Sequence, residues 1–357
     1  MSVGVQASPI TVRAYRPGDE TELVALFARV FGKPISEAHW RWKLKAHRCP
    51  VENVWLAEQD GRIVFQYAAI PVRVKARDRV VTGFISVDTM VAPEVQKQSL
   101  LTRFAPGIYE HWKAEGIAFV CGSPNERWGS MLRTLGLVRL FDLDWLIRPL
   151  APEKTLARRL RLPFLSRLSL VGAVTNAFFN RGLRDGNLFG VSTREVTSAD
   201  GAFDRLWGSV SPRYVTSLVR DAAFVTWRFF DSPSCSYRVL LAERDGEPAG
   251  YLAFWIKERA DVRDAYLVEL FCAPDDRATA AALLLRVVAI AREARVEKLL
   301  ALSVPETFLH EFFHHAGFRK GPGRWNVVLS PFDAGLAMND LSQPRSWYYA
   351  GADTDYA

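Results

Sequence analysis

Apolar positions recur along this chain in two periods, and the period switches in a fixed order. Ile10 to Ala14 reads as a strand, turned by Pro17-Gly18. Leu23, Leu26, Phe27 and Val30 then follow at helical spacing. A second helix carries Trp40-Arg41-Trp42 and ends before Pro50. Strands Val54 to Ala57 and Ile63 to Ile70 flank an Asp60-Gly61 turn, and Val80 to Val91 reads as a further strand pair. The loop Ala92 to Gln98 leads into a helix from Leu100 to Ala114, then a short buried strand from Ile117 to Cys121. A short helix from Arg127 to Leu135 stops at Gly136, and a final strand pair runs to Leu146. The same order returns from Thr193 to Leu329. Strands mixed with helices in this way predict an α/β (α+β) fold. The segment from Asp333 to Ala357 shows no period and is expected to be a surface wrap or disordered.

The return is a true repeat. Arg13, Asp19, Asp88, Pro93, Pro124 and Gly136 recur as Arg194, Asp200, Glu269, Pro274, Pro305 and Gly317, each at an offset of 181. Between these anchors, Trp40-Arg41 matches Trp227-Arg228 at 187, and Leu56 to Gly61 matches Leu241 to Gly246 at 185. An offset that drifts and recovers is what loop insertions in a duplicated fold produce. The expected organisation is a domain over 1–149, a helical linker over 150–190, a second domain over 191–332 and a tail over 333–357. A length of 357 residues suits two such cores.

Composition is that of a soluble globular protein, with 49% apolar and 24% charged residues. Cys49, Cys121, Cys235 and Cys272 show neither metal spacing nor a disulfide framework. No signal-peptide pattern opens the chain, and no apolar run is long enough to span a bilayer, so a cytoplasmic location is expected. The net charge of +7 is concentrated: residues 150–190 hold seven basic against two acidic side chains. The basic pI therefore describes the linker and argues against a nucleic-acid surface. The linker reads as a solvated connector. Alternatively, Leu156, Leu160, Phe164, Leu165 and Leu168 form the apolar face of a helix in peripheral contact with an anionic membrane, interrupted by Pro163.

Four stretches, two in each half, carry a resemblance. Val91-Ala92-Pro93 precedes a polar loop and a long helix, and Leu135-Gly136-Leu137 closes the following short helix. The second half offers Ala273-Pro274 and Ala316-Gly317-Phe318 at the same places. This order resembles the GNAT (N-acetyltransferase) superfamily, here as a tandem, two-domain member. The resemblance implies two GNAT-like domains, each a mixed, mostly antiparallel sheet flanked by helices. It also implies acetyl-CoA or another acyl-CoA as cofactor. The superfamily loop places Gln or Arg first, Gly fourth and a small residue last, so that backbone N–H groups at a helix start cradle pyrophosphate. Gln96-Lys97-Gln98-Ser99-Leu100-Leu101 departs from it at Ser99 and Leu101. Arg277-Ala278-Thr279-Ala280-Ala281-Ala282 departs at Ala280. By the same resemblance Met90 and Val91 would pair with the pantetheine arm, and Asn125 would face the cleft. Glu306 stands at the position of Asn125 in the second half, which favours the first half as the cofactor site.

Amine acylation needs a proton acceptor. Asp88 and its equivalent Glu269 are the candidate bases, each five residues before the motif proline on an otherwise apolar strand. The alternative for each is a loop cap or a pair with the arginine of the Trp-Arg motif. The tyrosine that usually protonates the leaving thiolate is replaced by Leu132 and Phe313; Cys121 is a substitute or simply packed. The repeated Trp-Arg motif is expected to be structural. His310-Glu311-Phe312-Phe313-His314 matches a zinc-protease pattern, but Gly317 ends the helix and no Glu follows Glu311, so no metal is expected. The sequence thus points to acyl transfer to the amine of a small molecule or sugar-linked precursor. Two readings stand beside it: a Fem-type transferase using aminoacyl-tRNA, and a non-catalytic acyl-CoA-binding module.

Overall fold

Each copy is built from alternating apolar strands against amphipathic helices. In the first half the order is β1 (Thr11–Ala14), α1 (Glu20–Phe31), α2 (Glu37–Lys45), β2 (Val54–Gln59), β3 (Arg62–Ala76), β4 (Arg79–Val91), α3 (Leu100–Ala114), β5 (Phe119–Gly122), α4 (Met131–Thr134) and β6 (Val138–Pro149). Helices α5 (Pro152–Leu160) and α6 (Ser169–Arg184) follow. The second half runs β7 (Val191–Val196), α7 (Gly201–Val210), β8 (Thr216–Leu218), α8 (Ala222–Val225), β9 (Arg238–Arg244), β10 (Glu247–Arg259), β11 (Val262–Cys272), α9 (Arg277–Glu293), β12 (Lys298–Ser303), α10 (Phe308–His315), β13 (Arg319–Lys320), β14 (Trp325–Pro331) and β15 (Trp347–Tyr348). The computed structural model describes residues 9–47, 49–124, 131–162, 164, 169–184, 190–260, 262–323 and 325–354. Among these, no helix is long and apolar enough to cross a membrane.

The chain divides into two units that do not follow its linear halves. One unit is residues 1–139 with 327–338, and the other is 140–326 with 339–357. In the first, β1, β2, β3 and β4 pair antiparallel in sequence order, β4 pairs parallel with β5, and β14 closes the sheet on β5. In the second, β7, β9, β10 and β11 pair antiparallel, β11 pairs parallel with β12, and β6 closes the sheet on β12. Each sheet is therefore mixed and mostly antiparallel, and each takes its closing strand from the other half of the sequence. The expected boundaries at 149, 191 and 332 miss this exchange, because β6 and β14 carry the same strand pattern and periodicity does not name a partner.

The repeat anchors have a physical reason. Arg13 on β1 pairs with Glu58 on β2 at 2.6 Å, and its equivalent Arg194 on β7 pairs with Glu243 on β9 at 3.2 Å. The cores are aromatic in both units. Phe84 meets Trp112 edge-on at 4.8 Å in the first, and Phe271 meets Tyr348 at 5.0 Å in the second.

Three expectations are corrected here. Residues 80–91 form one strand rather than a pair. Gly83, within that strand, leaves room for the Phe119 ring, which any β-carbon there would overlap. The expected final pair running to Leu146 is likewise the single strand β6. The tail is no loose wrap: Trp347, Tyr348, Ala350 and Asp353 are buried in the second unit, and β15 pairs parallel with β8. It fills a slot instead of covering a face, so it needs no period.

Candidate functional site

Strands β4 and β5 pair over Phe84–Val120 and Ile85–Cys121 only, and β4 then continues to Val91. That leaves the β5-facing edge of residues 86–91 splayed from its neighbour. On the other edge, Met90 and Val91 stay in register with Gln66 and Phe65, and the Ala92 amide donates to Val64 O at 2.8 Å. Within this stretch β4 is bulged: its register slips between Gln66 and Ala68, and Asp88 takes φ of 46°. A bulge re-aims the side chain it carries. Three side chains hold it. Gln66 donates through Nε2 to the Asp88 carbonyl at 2.9 Å, and Trp40 Nε1 donates to Gln66 Oε1 at 3.0 Å. One helical turn on from Trp40, Lys43 Nζ donates to Asp88 Oδ2 at 2.8 Å.

Asp88 is therefore not a lone carboxylate on an apolar strand. Its side chain is 9% exposed and the Lys43 side chain 10%, so the ammonium compensates a charge that water scarcely reaches. The partner is Lys43, not the arginine of the Trp-Arg motif. Arg41 instead reaches Glu20 and Glu37 at 2.7 and 2.8 Å. Trp40 is buried, in keeping with a structural role. Neither Lys43 nor Gln66 was singled out from sequence. The only signal was position: Lys43 lies three residues after Trp40, on the same helix face.

The polar loop follows directly. Pro93–Gln98 forms a 3-10 turn, Ser99 sits in the left-handed region at φ 51°, and α3 starts at Leu100 with no side chain capping it. Gln96, Lys97, Gln98 and Ser99 are exposed, whereas Leu100 and Leu101 are 1% and 6% exposed. The bulk of Leu101, which reads from sequence as an obstruction, thus points into the core. What faces solvent is a bare helix start with its N–H groups and dipole, beside the Lys97 cation. Asn125 lies outside the described residues.

The equivalent place in the second unit is filled by the chain itself. Asp276 caps α9: its Oδ1 accepts from Thr279 N at 3.1 Å and from Arg244 Nη2 at 2.8 Å. Burial pushes the Asp276 carboxyl up, but the bonds from Arg244 and Thr279 outweigh it and leave it lowered. A carboxylate thus occupies the amides an anion would need; Val95 stands there in the first half, at the repeat offset of 181. The strand edge is taken too. Tyr214 Oη donates to Cys272 O at 2.8 Å, Ala350 bridges to Ser303, and Gly351 packs on the Val268 backbone, where a β-carbon would lie 3.2 Å from Val268 O. Arg228, of the second Trp-Arg motif, holds the tail by donating to Ala352 O at 3.1 Å.

Glu269, the counterpart of Asp88, is sealed beneath this tail. Tyr348 donates to its Oε1, and Arg220 lies 3.6 Å from Oε2. Arg220 also pairs with Asp353 at 2.5 Å, and all three charged side chains are fully buried. Burial pushes the Glu269 carboxyl up to about 7, against the pull of Arg220. The zinc-type motif has other partners: His310 reaches Asp144 at 3.4 Å, and Lys320 takes the other oxygen of Asp144 at 2.6 Å. A groove of about 440 Å³ in the first unit, lined by Pro106, Tyr109, Lys113, Leu135 and Phe332 among others, lies along the second half of α3, away from the bare helix start.

Comparison with known proteins bears on the family and the fold. The family model described as an acetyltransferase (GNAT) domain matches residues 11–137, and the one described as the acetyltransferase (GNAT) family matches 203–318. No curated protein matches the chain in sequence. Among solved structures, it is similar to a GCN5-related N-acetyltransferase from Anabaena variabilis (10% identity, 91% of this chain and 73% of that one, TM-score 0.66). It is also similar to one from Kribbella flavida (16%, 90% and 70%, TM-score 0.61). A third is the Saccharomyces cerevisiae N-myristoyltransferase with bound myristoyl-CoA (12%, 92% and 85%, TM-score 0.59). With a GNAT match in each half, and the same sheet built twice with one helix start bare and the other filled, the chain is a tandem member of the GNAT acyltransferase family.

Proposed function

We propose that this acyl-CoA-dependent N-acyltransferase works through a single cofactor seat, in the first unit, and moves an acetyl group to the amine of a small molecule or sugar-linked precursor. The observation that carries the single seat is the contrast between the bare start of α3 and the Asp276-capped start of α9. The backbone N–H groups from Gln96 to Leu101 would hold the pyrophosphate, with Lys97 adding charge and Gln98 and Ser99 framing the turn. Met90 and Val91 would offer the splayed strand edge to the pantetheine arm, as an added strand. Asn125 keeps its place in the proposal by resemblance alone. The cofactor supplies an activated thioester. The amine nitrogen bonds to its carbonyl carbon, the C–S bond breaks, the proton lost by nitrogen goes to Asp88, and the thiolate takes one from solvent. Leu132 cannot supply that proton, and water replaces the missing tyrosine.

Calorimetric titration with acetyl-CoA tests the reading: one molecule should bind per chain. Two equal sites, or no heat of binding, would remove it. Asp88→Asn keeps a partner for Lys43 and should leave acetyl-CoA affinity unchanged, while kcat falls by about 10²-fold. An unaltered kcat would show that Asp88 only anchors the bulge.

A further inference from the structure

Helix α6 turns Asn176 inward along with Leu183 and leaves a row of large apolar side chains outside. Asn176 is buried and donates through Nδ2 to Leu150 O and Gly172 O, both at 2.7 Å. Arg148, fully buried on β6, donates to Asn180 Oδ1 at 2.7 Å. Leu170, Val174 and Phe178, spaced four apart on one face, are 78%, 67% and 73% exposed. Water-facing helices show the opposite pattern. Of the twelve large apolar side chains exposed among the described residues, seven lie between Leu156 and Phe178. Concentration of this kind marks a surface that meets something other than water.

We infer that α5 and α6 dock on an anionic lipid surface. The charges choose this occupant. Arg159, Arg161 and Arg181 are exposed, Glu153 of α5 is buried, and α6 carries no acidic residue. An apolar face whose exposed charges on α5 and α6 are all cations, among the described residues, suits anionic headgroups over acyl chains. A second copy of the same face would set arginine against arginine. Leu156 and Leu160, 47% and 51% exposed, extend the apolar surface along α5, which packs beside α6 where Gly172 approaches Glu153. Leu165 and Leu168, part of the face expected from sequence, lie outside the described residues. The seat proposed for acyl-CoA plays no part in this docking.

The test is flotation of the full chain with vesicles of phosphatidylcholine alone or with about a third phosphatidylglycerol. The chain should float with the anionic vesicles only, and less as salt rises. Combined Leu170→Asn, Val174→Asn and Phe178→Asn should cut the bound fraction by on the order of tenfold, with the melting temperature and acetyl-CoA affinity unchanged. Failure to float with anionic vesicles, or equal flotation of the triple variant, overturns the inference. So does sedimentation showing a self-associated chain that the same three substitutions turn monomeric, since a second copy then covers the face.

Discussion

Arg220→Met lowers the unfolding free energy of the second unit by about 3–5 kcal/mol, because it strands two buried carboxylates without their cation. Asp353 and Glu269 both face that guanidinium, and none of the three side chains touches water. Methionine fills similar volume, so the loss reports charge more than cavity. The effect should depend on pH, with a sign fixed by the raised carboxyl of Glu269. A carboxyl at about 7 in the folded chain, against an ordinary 4.5, keeps a proton that the unfolded chain has released. Folded protein then binds more protons between those values, so stability falls as pH rises through that window and levels off above it. Without Arg220 the carboxylates resist ionisation further, and the gap between variant and parent should widen from pH 5 to pH 8. Urea unfolding at both values measures it. A gap that is constant, or below about 1 kcal/mol, would mean that the tail is not held by this charge cluster.

Ser99→Glu should weaken acetyl-CoA binding at least a hundredfold without destabilising the chain. The new carboxylate sits where α3 begins, a position the helix dipole favours, so folding is spared. The same carboxylate competes for the amides proposed to hold the pyrophosphate, reproducing in the first unit what Asp276 does in the second. One like-charge pair at about 4 Å costs about 4 kcal/mol at an effective dielectric of about 20. Side-chain escape and salt reduce that, and a hundredfold change needs only about 2.7 kcal/mol. Calorimetry on the variant decides it: unchanged affinity would place the cofactor elsewhere, with the groove along the second half of α3 the next candidate.

Much of this fold was legible because its signals are local. The alternation of β2 and β3, the spacing of α1 and the offset of 181 between Arg13 and Arg194 all survive in one dimension. The candidate loop was legible as well, since Gln96 to Leu101 is contiguous. The partner of Asp88 was not, because Lys43 stands 45 residues away. The filling of the second cleft was half legible. Asp276, three residues before Thr279, has the spacing of a helix cap, and that cap is the feature on which the proposed single seat rests. The tail was hidden for another reason: Trp347, Tyr348 and Asp353 each fill one place, and such a segment carries no repeat to read.

The exchange of closing strands bears on how the chain emerges from the ribosome. Strand β5 is finished at Gly122, yet the strand that covers its free edge ends at Pro331. Throughout synthesis of the intervening stretch the nascent first unit exposes an unsatisfied edge, the kind of template on which neighbouring nascent chains can pair. Growth of the polypeptide thus leaves the earlier-made sheet without its closing strand until the later half is made, and neither half excised by itself carries every strand of its sheet.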